Sequence, residues 1–167
     1  MKGPEIVDIA KSYIGKTEVP NNAGFTDTKF QKKMEEVGWS KTLAWCSFFA
    51  ELVWTEACCD TALKTIIRKL FSGSATTTFK NFDLDKTFKT GKEPQLGAVA
   101  IWRHGNGWQG HAAIVTELIN KTDFKTVEGN TNDKGGREGY IVALKQRATN
   151  KPFSSTGLNL VGFIYCS

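Results

Sequence analysis

A chain of 167 residues with 40% hydrophobic and 23% charged residues is long enough to bury one core and too ordinary in content to be disordered or collagenous. The formal net charge of +5 and pI near 9.0 favour anionic partners such as nucleic acid, acidic lipid or the acidic polymers of a cell wall. The lysines and arginines are scattered rather than massed, so a merely solvated basic surface is the plainer reading.

The first 14 residues carry polar and acidic side chains where an export signal needs a continuous apolar stretch, and no such signal is expected. The most apolar run, residues 43–54, contains Glu51 and is shorter than the roughly 20 apolar residues of a membrane span. Membrane insertion is therefore not expected. Four cysteines stand at 46, 58, 59 and 166. Adjacent Cys58 and Cys59 fit no zinc spacing, and one catalytic thiol would leave three cysteines that cannot all pair. Cys58, Cys59 and Cys166 are expected to be small buried hydrophobes.

In chain order, Gly3-Pro4-Glu5 followed by Ile6, Ile9, Ala10 and Tyr13 on one face predicts a helix ending at Gly15. A turn-rich stretch, residues 20–24, precedes a second helix that starts near Asp27, carries Phe30, Met34 and Val37, and stops at Gly38. Residues 44–57, with Trp45, Phe48, Phe49, Leu52 and Val53, are too densely apolar for a surface helix and predict a central one. A weaker helix follows over residues 61–71. The small polar segment 72–78 reads as a loop, and residues 72–95 are the least readable part. From Gly97 on, five short runs rich in Val, Ile and aromatics (98–102, 112–118, 124–128, 140–144 and 160–165) predict strands. Helices first and an antiparallel sheet after them define an α+β protein, with no repeat or linker to mark a second domain across residues 1–167.

Cys46 lies in Ala44-Trp45-Cys46-Ser47-Phe48-Phe49, at the head of the expected core helix. Unpaired N–H groups and the helix dipole there stabilise a thiolate, the only form of cysteine that attacks. Its base must be one of two histidines. His104 sits in a glycine-rich loop, whereas His111 opens a strand after Gly110 and is the better held of the two. A catalytic imidazole also needs a group that fixes its orientation. If residues 124–130 form a hairpin with the His111 strand, the turn lies midway between facing residues. That midpoint is (111+130)/2 = 120.5 for Asn130 and (111+128)/2 = 119.5 for Glu128, both inside the turn-forming stretch 120–123. Glu128 and Asn130 are two apart and share a sheet face, so Cys46, His111, Glu128 and Asn130 are the candidate catalytic set.

These residues resemble the CHAP amidohydrolase/peptidases of the broad papain-like class. The resemblance covers most of the chain: the opening helix through Glu18, the Trp45-Cys46 segment, Leu96-Gly97-Ala98-Val99-Ala100-Ile101-Trp102, Gly110-His111-Ala112-Ala113-Ile114-Val115 and Glu128-Gly129-Asn130. It implies Cys46 as nucleophile, His111 as base, Glu128 and Asn130 as orienting groups, and cleavage of amide bonds in bacterial peptidoglycan. Two features depart from the family: residues 58–82 make a longer link than usual, and Ala98 stands where an aspartate commonly follows the glycine. Some members bind calcium ahead of the cysteine, but residues 20–27 offer one acid, so neither calcium nor any other cofactor is expected. Residues 130–135 faintly resemble a calcium loop, lack its distal glutamate, and read as a turn. Trp102 and Trp108 are candidates to line a substrate groove, while Trp45 reads as core.

A monomer acting on peptidoglycan, without nucleic acid, is the expectation. Without an export signal, a phage lysin released through a holin and an antibacterial effector with an immunity protein both fit. The competing readings are a non-catalytic wall-binding module and an intracellular papain-like protease acting on proteins.

Overall fold

The computed structural model describes residues 1–132 and 139–166. The stretch 130–135, read from sequence as a turn, falls in part outside them. Pro4 starts α1 (Gly3–Ser12), and Gly15, at φ +90°, follows its end. Asp27 accepts from the N–H groups of Lys29 and Phe30 and so caps α2 (Thr28–Glu36). Between them, β1 (Glu18–Val19) and β2 (Gly24–Phe25) form a two-stranded hairpin that the sequence reading did not include. The core helix is α3 (Cys46–Ala57), buried on nearly every side. Asp60 caps α4 (Thr61–Leu70).

One expectation fails after α4. Residues 72–78 are not simply a loop: Ser74 accepts from the N–H of Thr77 and starts α5 (Ala75–Asp85). Three successive threonines, poor helix formers, hid this helix. Tertiary packing decides the matter, because Phe82 is fully buried among Trp54, Phe71 and Phe88.

The strands are β3 (Thr90–Gly91), β4 (Val99–His104), β5 (Gly110–Leu118), β6 (Asp123–Thr131), β7 (Ile141–Ala148) and β8 (Leu158–Ile164). They form one antiparallel sheet in the order β3-β8-β4-β5-β6-β7, so the α+β reading holds. Alternation along the strands divides the apolar residues between two faces. Val99, Ile101, Ala112, Ile114, Val127, Val142 and Ile164 share one core cluster with residues of the five helices. Ala98, Ala100, Trp102, Ala113, Val115, Phe124, Phe163 and Tyr165 cluster on the other face. The backbone of residues 15–18 hydrogen-bonds to the outer edge of β7: Gly15 N–H to Val142 O, Val142 N–H to Lys16 O and Glu18 N–H to Tyr140 O. Among the described residues no helix is long and apolar enough to cross a membrane.

Candidate active site

Aromatic packing aims the head of α3. Trp45 is fully buried, edge-on to Phe25 and Phe49, and its Nε1–H donates to Glu18, which agrees with its reading as core. Ser47 Oγ donates to the carbonyl of Ser72 at 2.5 Å and ties the first turn to the segment entering α5. Trp45 supplies no side-chain cap, and of the N–H groups in the first turn of α3 that of Ser47 meets the thiol. Cys46 is 6% exposed, and its sulfur accepts from the N–H groups of Ser47 and Ala112 and contacts the His111 imidazole.

His111 stands at the opposite wall. The β5–β6 ladder begins only at Ile114↔Val127, so the first residues of β5 run past it and meet the head of α3. Gly110 is needed here for space: a Cβ would lie 2.6 Å from the carbonyl oxygen of Trp102 and 3.0 Å from Thr76 of α5. Extrapolated beyond its last pair, the register of Ile114↔Val127, 114+127 = 241, would set Asn130 opposite His111 and Ala113 opposite Glu128. This is the register with its midpoint at 120.5, although a bulge between Val115 and Glu117 shifts the last pairs by one.

The group that holds the imidazole is nevertheless the diagonal neighbour. Glu128 Oε2 accepts from His111 Nε2 at 2.8 Å. Asn130 has left-handed backbone, φ +52°, where the β6–β7 pairing is irregular, and it makes no hydrogen bond to His111. The expected same-face alignment of Glu128 and Asn130 is broken by that turn of the chain. With Nε2 committed to Glu128, the nitrogen facing Cys46 is Nδ1.

Glu128 is completely buried, and each oxygen accepts twice. Oε1 receives Thr126 Oγ1–H at 2.6 Å and Arg147 Nε–H at 2.7 Å; Oε2 receives Arg147 Nη2–H at 2.6 Å and His111. Arg147, on β7 opposite Phe124, also lies over the Trp102 ring, 5.3 Å from its centroid. Neither Arg147 nor Thr126 was legible beforehand. The β7 strand was expected to stop at residue 144, and a cation partner for a buried carboxylate is visible only once the register is known.

The electrostatics follow from this row of contacts. Burial alone would raise the Cys46 pKa, but the His111 ring and the two backbone N–H groups pull it below the ordinary thiol value. Burial would lower the imidazole's, yet the Glu128 carboxylate and the sulfur outweigh it and raise His111 to about 10. Burial would raise Glu128, and His111 with Arg147 hold it well below the carboxylate range. The favoured state is thiolate, imidazolium, carboxylate and guanidinium in alternating sign.

The two tryptophans part company. Trp102 is 4% exposed, stacked at 14° on Phe124 and packed beside the His111 ring. It backs the site and cannot line a groove as expected. Trp108 is 78% exposed, and its carbonyl accepts from Thr76 Oγ1 at the head of α5. His104 is not part of the row. Cys46, Cys58 and Cys59 are free thiols; Cys58 and Cys166 are buried as expected, but Cys59 is exposed, because it falls in the short link between α3 and α4.

A cysteine heading the core helix and a histidine heading a strand of an antiparallel sheet define the papain-like class of fold. The family model for the CHAP domain matches residues 38–130, more than half of the chain, and the protein belongs to the CHAP family, whose domains are generally hydrolases acting on peptidoglycan. No curated protein and no solved structure matches the chain.

Proposed function

We propose that this chain cleaves amide bonds in the stem peptides of bacterial peptidoglycan, as an amidase or endopeptidase. Cys46 is the nucleophile, His111 the general base and acid, and Glu128 the group that orients the imidazole. The observation that carries the reading is the continuous row from the Cys46 sulfur through the His111 ring to Glu128, 2.8 Å from Nε2.

The thiolate attacks a stem-peptide or muramoyl–alanine carbonyl carbon. The resulting oxyanion meets the backbone N–H of Cys46, a type of contact typically worth about 3–4 kcal/mol. His111 gives its Nδ1 proton to the leaving nitrogen, the C–N bond breaks, and a thioester remains. The neutral ring then takes a proton from water, whose oxygen attacks the thioester and frees the carboxylic acid and the thiolate. Trp108 offers the incoming polymer an exposed aromatic face, and the net charge of +5 favours an anionic wall. Residues 1–167 act as one catalytic unit. A phage lysin or an antibacterial effector both suit such a chemistry.

Purified protein is incubated with defined muropeptides and the product masses are read; the expected products are those of one amide hydrolysis. Cys46→Ala and His111→Ala are each expected to abolish turnover with nearly normal thermal melting. Wild-type rates in either variant would overturn the assignment, and cleavage of proteins with intact sacculi left untouched would move the substrate class.

A further inference from the structure

Glu128 is a carboxylate completely buried inside the protein, and burial of such a group is tolerated only when its charge and lone pairs are met. Four donors meet it here, and two belong to one guanidinium that reaches along the sheet face from its place opposite Phe124. A bidentate arginine fixes the plane of a carboxylate as well as its charge. The arginine is itself held, because Trp102 lies under its guanidinium while the same indole packs beside the His111 ring.

We propose that Arg147 is a positioning residue of this site: by clamping both oxygens of Glu128 it keeps that carboxylate charged and correctly rotated, and so holds His111 as the protonated partner of the Cys46 thiolate. This deepens the cysteine-hydrolase reading and rests on it for turnover, though its effect on the thiol does not need a substrate. The residue lies on β7, beyond residues 38–130 that the CHAP family model matches, so it extends the row of charges from outside the matched segment.

The charged groups facing Glu128 are His111 from β5 and Arg147 from β7; Thr126 of β6 and Trp102 of β4 are neutral, and Cys46 of α3 lies beyond the imidazole. Without the guanidinium, thiolate, imidazolium and carboxylate together leave one uncompensated buried negative charge. The site then keeps the proton on the Cys46 sulfur up to a higher pH. Removing an opposite charge at this range moves a pKa by about one unit or more.

The test uses the full chain without wall material. Iodoacetamide alkylation of Cys46 is followed against pH, with peptide masses separating Cys46 from Cys58, Cys59 and Cys166. In Arg147→Met the half-maximal pH is expected to rise by about one unit or more, and turnover on sacculi to fall about tenfold or more with KM little changed. Arg147→Lys keeps the charge and loses the fork, so it should restore the wild-type alkylation midpoint while turnover stays several-fold low. An Arg147→Met profile superimposed on wild type overturns the proposal. Should that variant not fold, a Lys variant with a displaced midpoint overturns it equally. If wild-type protein leaves sacculi intact, the proposed function fails, while the alkylation midpoints still decide the role of Arg147.

Discussion

Gly129 and Phe49 stand so close that a Cβ on the glycine would lie 2.6 Å from the phenylalanine Cβ and 2.7 Å from Cζ3 of Trp45. This contact lets β6 lie against the head of α3, and it brings Glu128 and Cys46 to the same imidazole. Gly129→Ala is expected to cost about 1–3 kcal/mol through overpacking, read as a fall of several degrees in Tm. Turnover should drop further than stability explains, because the displaced backbone carries Glu128. A variant as stable and active as wild type would show that the close approach is unimportant.

The reactive ion pair has a pH window with a definite sign. It forms as pH rises through the depressed Cys46 value and is lost as the imidazolium gives up its proton near 10. Activity is therefore expected to hold at pH 9 and to fall by half near pH 10, in contrast to a lone imidazole, whose proton would be gone above about 6.5. The kcat/KM profile checks this; a decline beginning near pH 7 would contradict it.

Glu51 lies in the buried middle of α3, and burial raises its pKa to about 8, with Arg68 offsetting only part. The folded value lies above the unfolded 4.5, so the folded state holds an extra proton between them, and stability falls as pH rises through that interval. Glu51→Gln removes this loss. Its Tm should match wild type near pH 4 and exceed it at pH 9, by an amount worth at most about 5 kcal/mol. Equal melting at pH 9 would show that the acid is ionised without penalty.

Trp102 and Trp108 should respond oppositely. Trp102→Ala empties a site shared by His111, Phe124 and Arg147 and is expected to cost about 3–5 kcal/mol. Trp108→Ala should leave Tm within the small range usual for surface changes, about 0.5 kcal/mol, while raising KM on sacculi. A reversed pattern in melting and kinetics would refute both assignments.

The helices with strong caps were legible because their signals are local: Asp27 and Asp60 each sit before an apolar stripe and accept from N–H groups in the first turn. Alternating strands were legible for the same reason. The helix after Ser74 was not, since its threonines disfavour helix and only the aromatic pocket around Phe82 compensates. At the site, two residues of the row could be placed by position alone, Cys46 on a helix start and His111 on a strand start. Hairpin arithmetic found the β5–β6 register but not which polar group would bond the ring, because the positive φ of Asn130 is a local departure from the pleat. Arg147 depends on pairing with a third strand, and Trp102 is a groove candidate by type that the sheet turns inward.

The sheet ends in two edges of very different length. At one, β3 offers only Thr90 and Gly91; at the other, the longer β7 has the backbone of residues 15–18 laid along its first part. An open strand of that length is a template for pairing with a second molecule. The backbone of residues 15–18 thus covers the Ile141–Val142 end of that edge, and loss of this pairing would expose it as a template for a second molecule even with every residue of the Cys46 row intact.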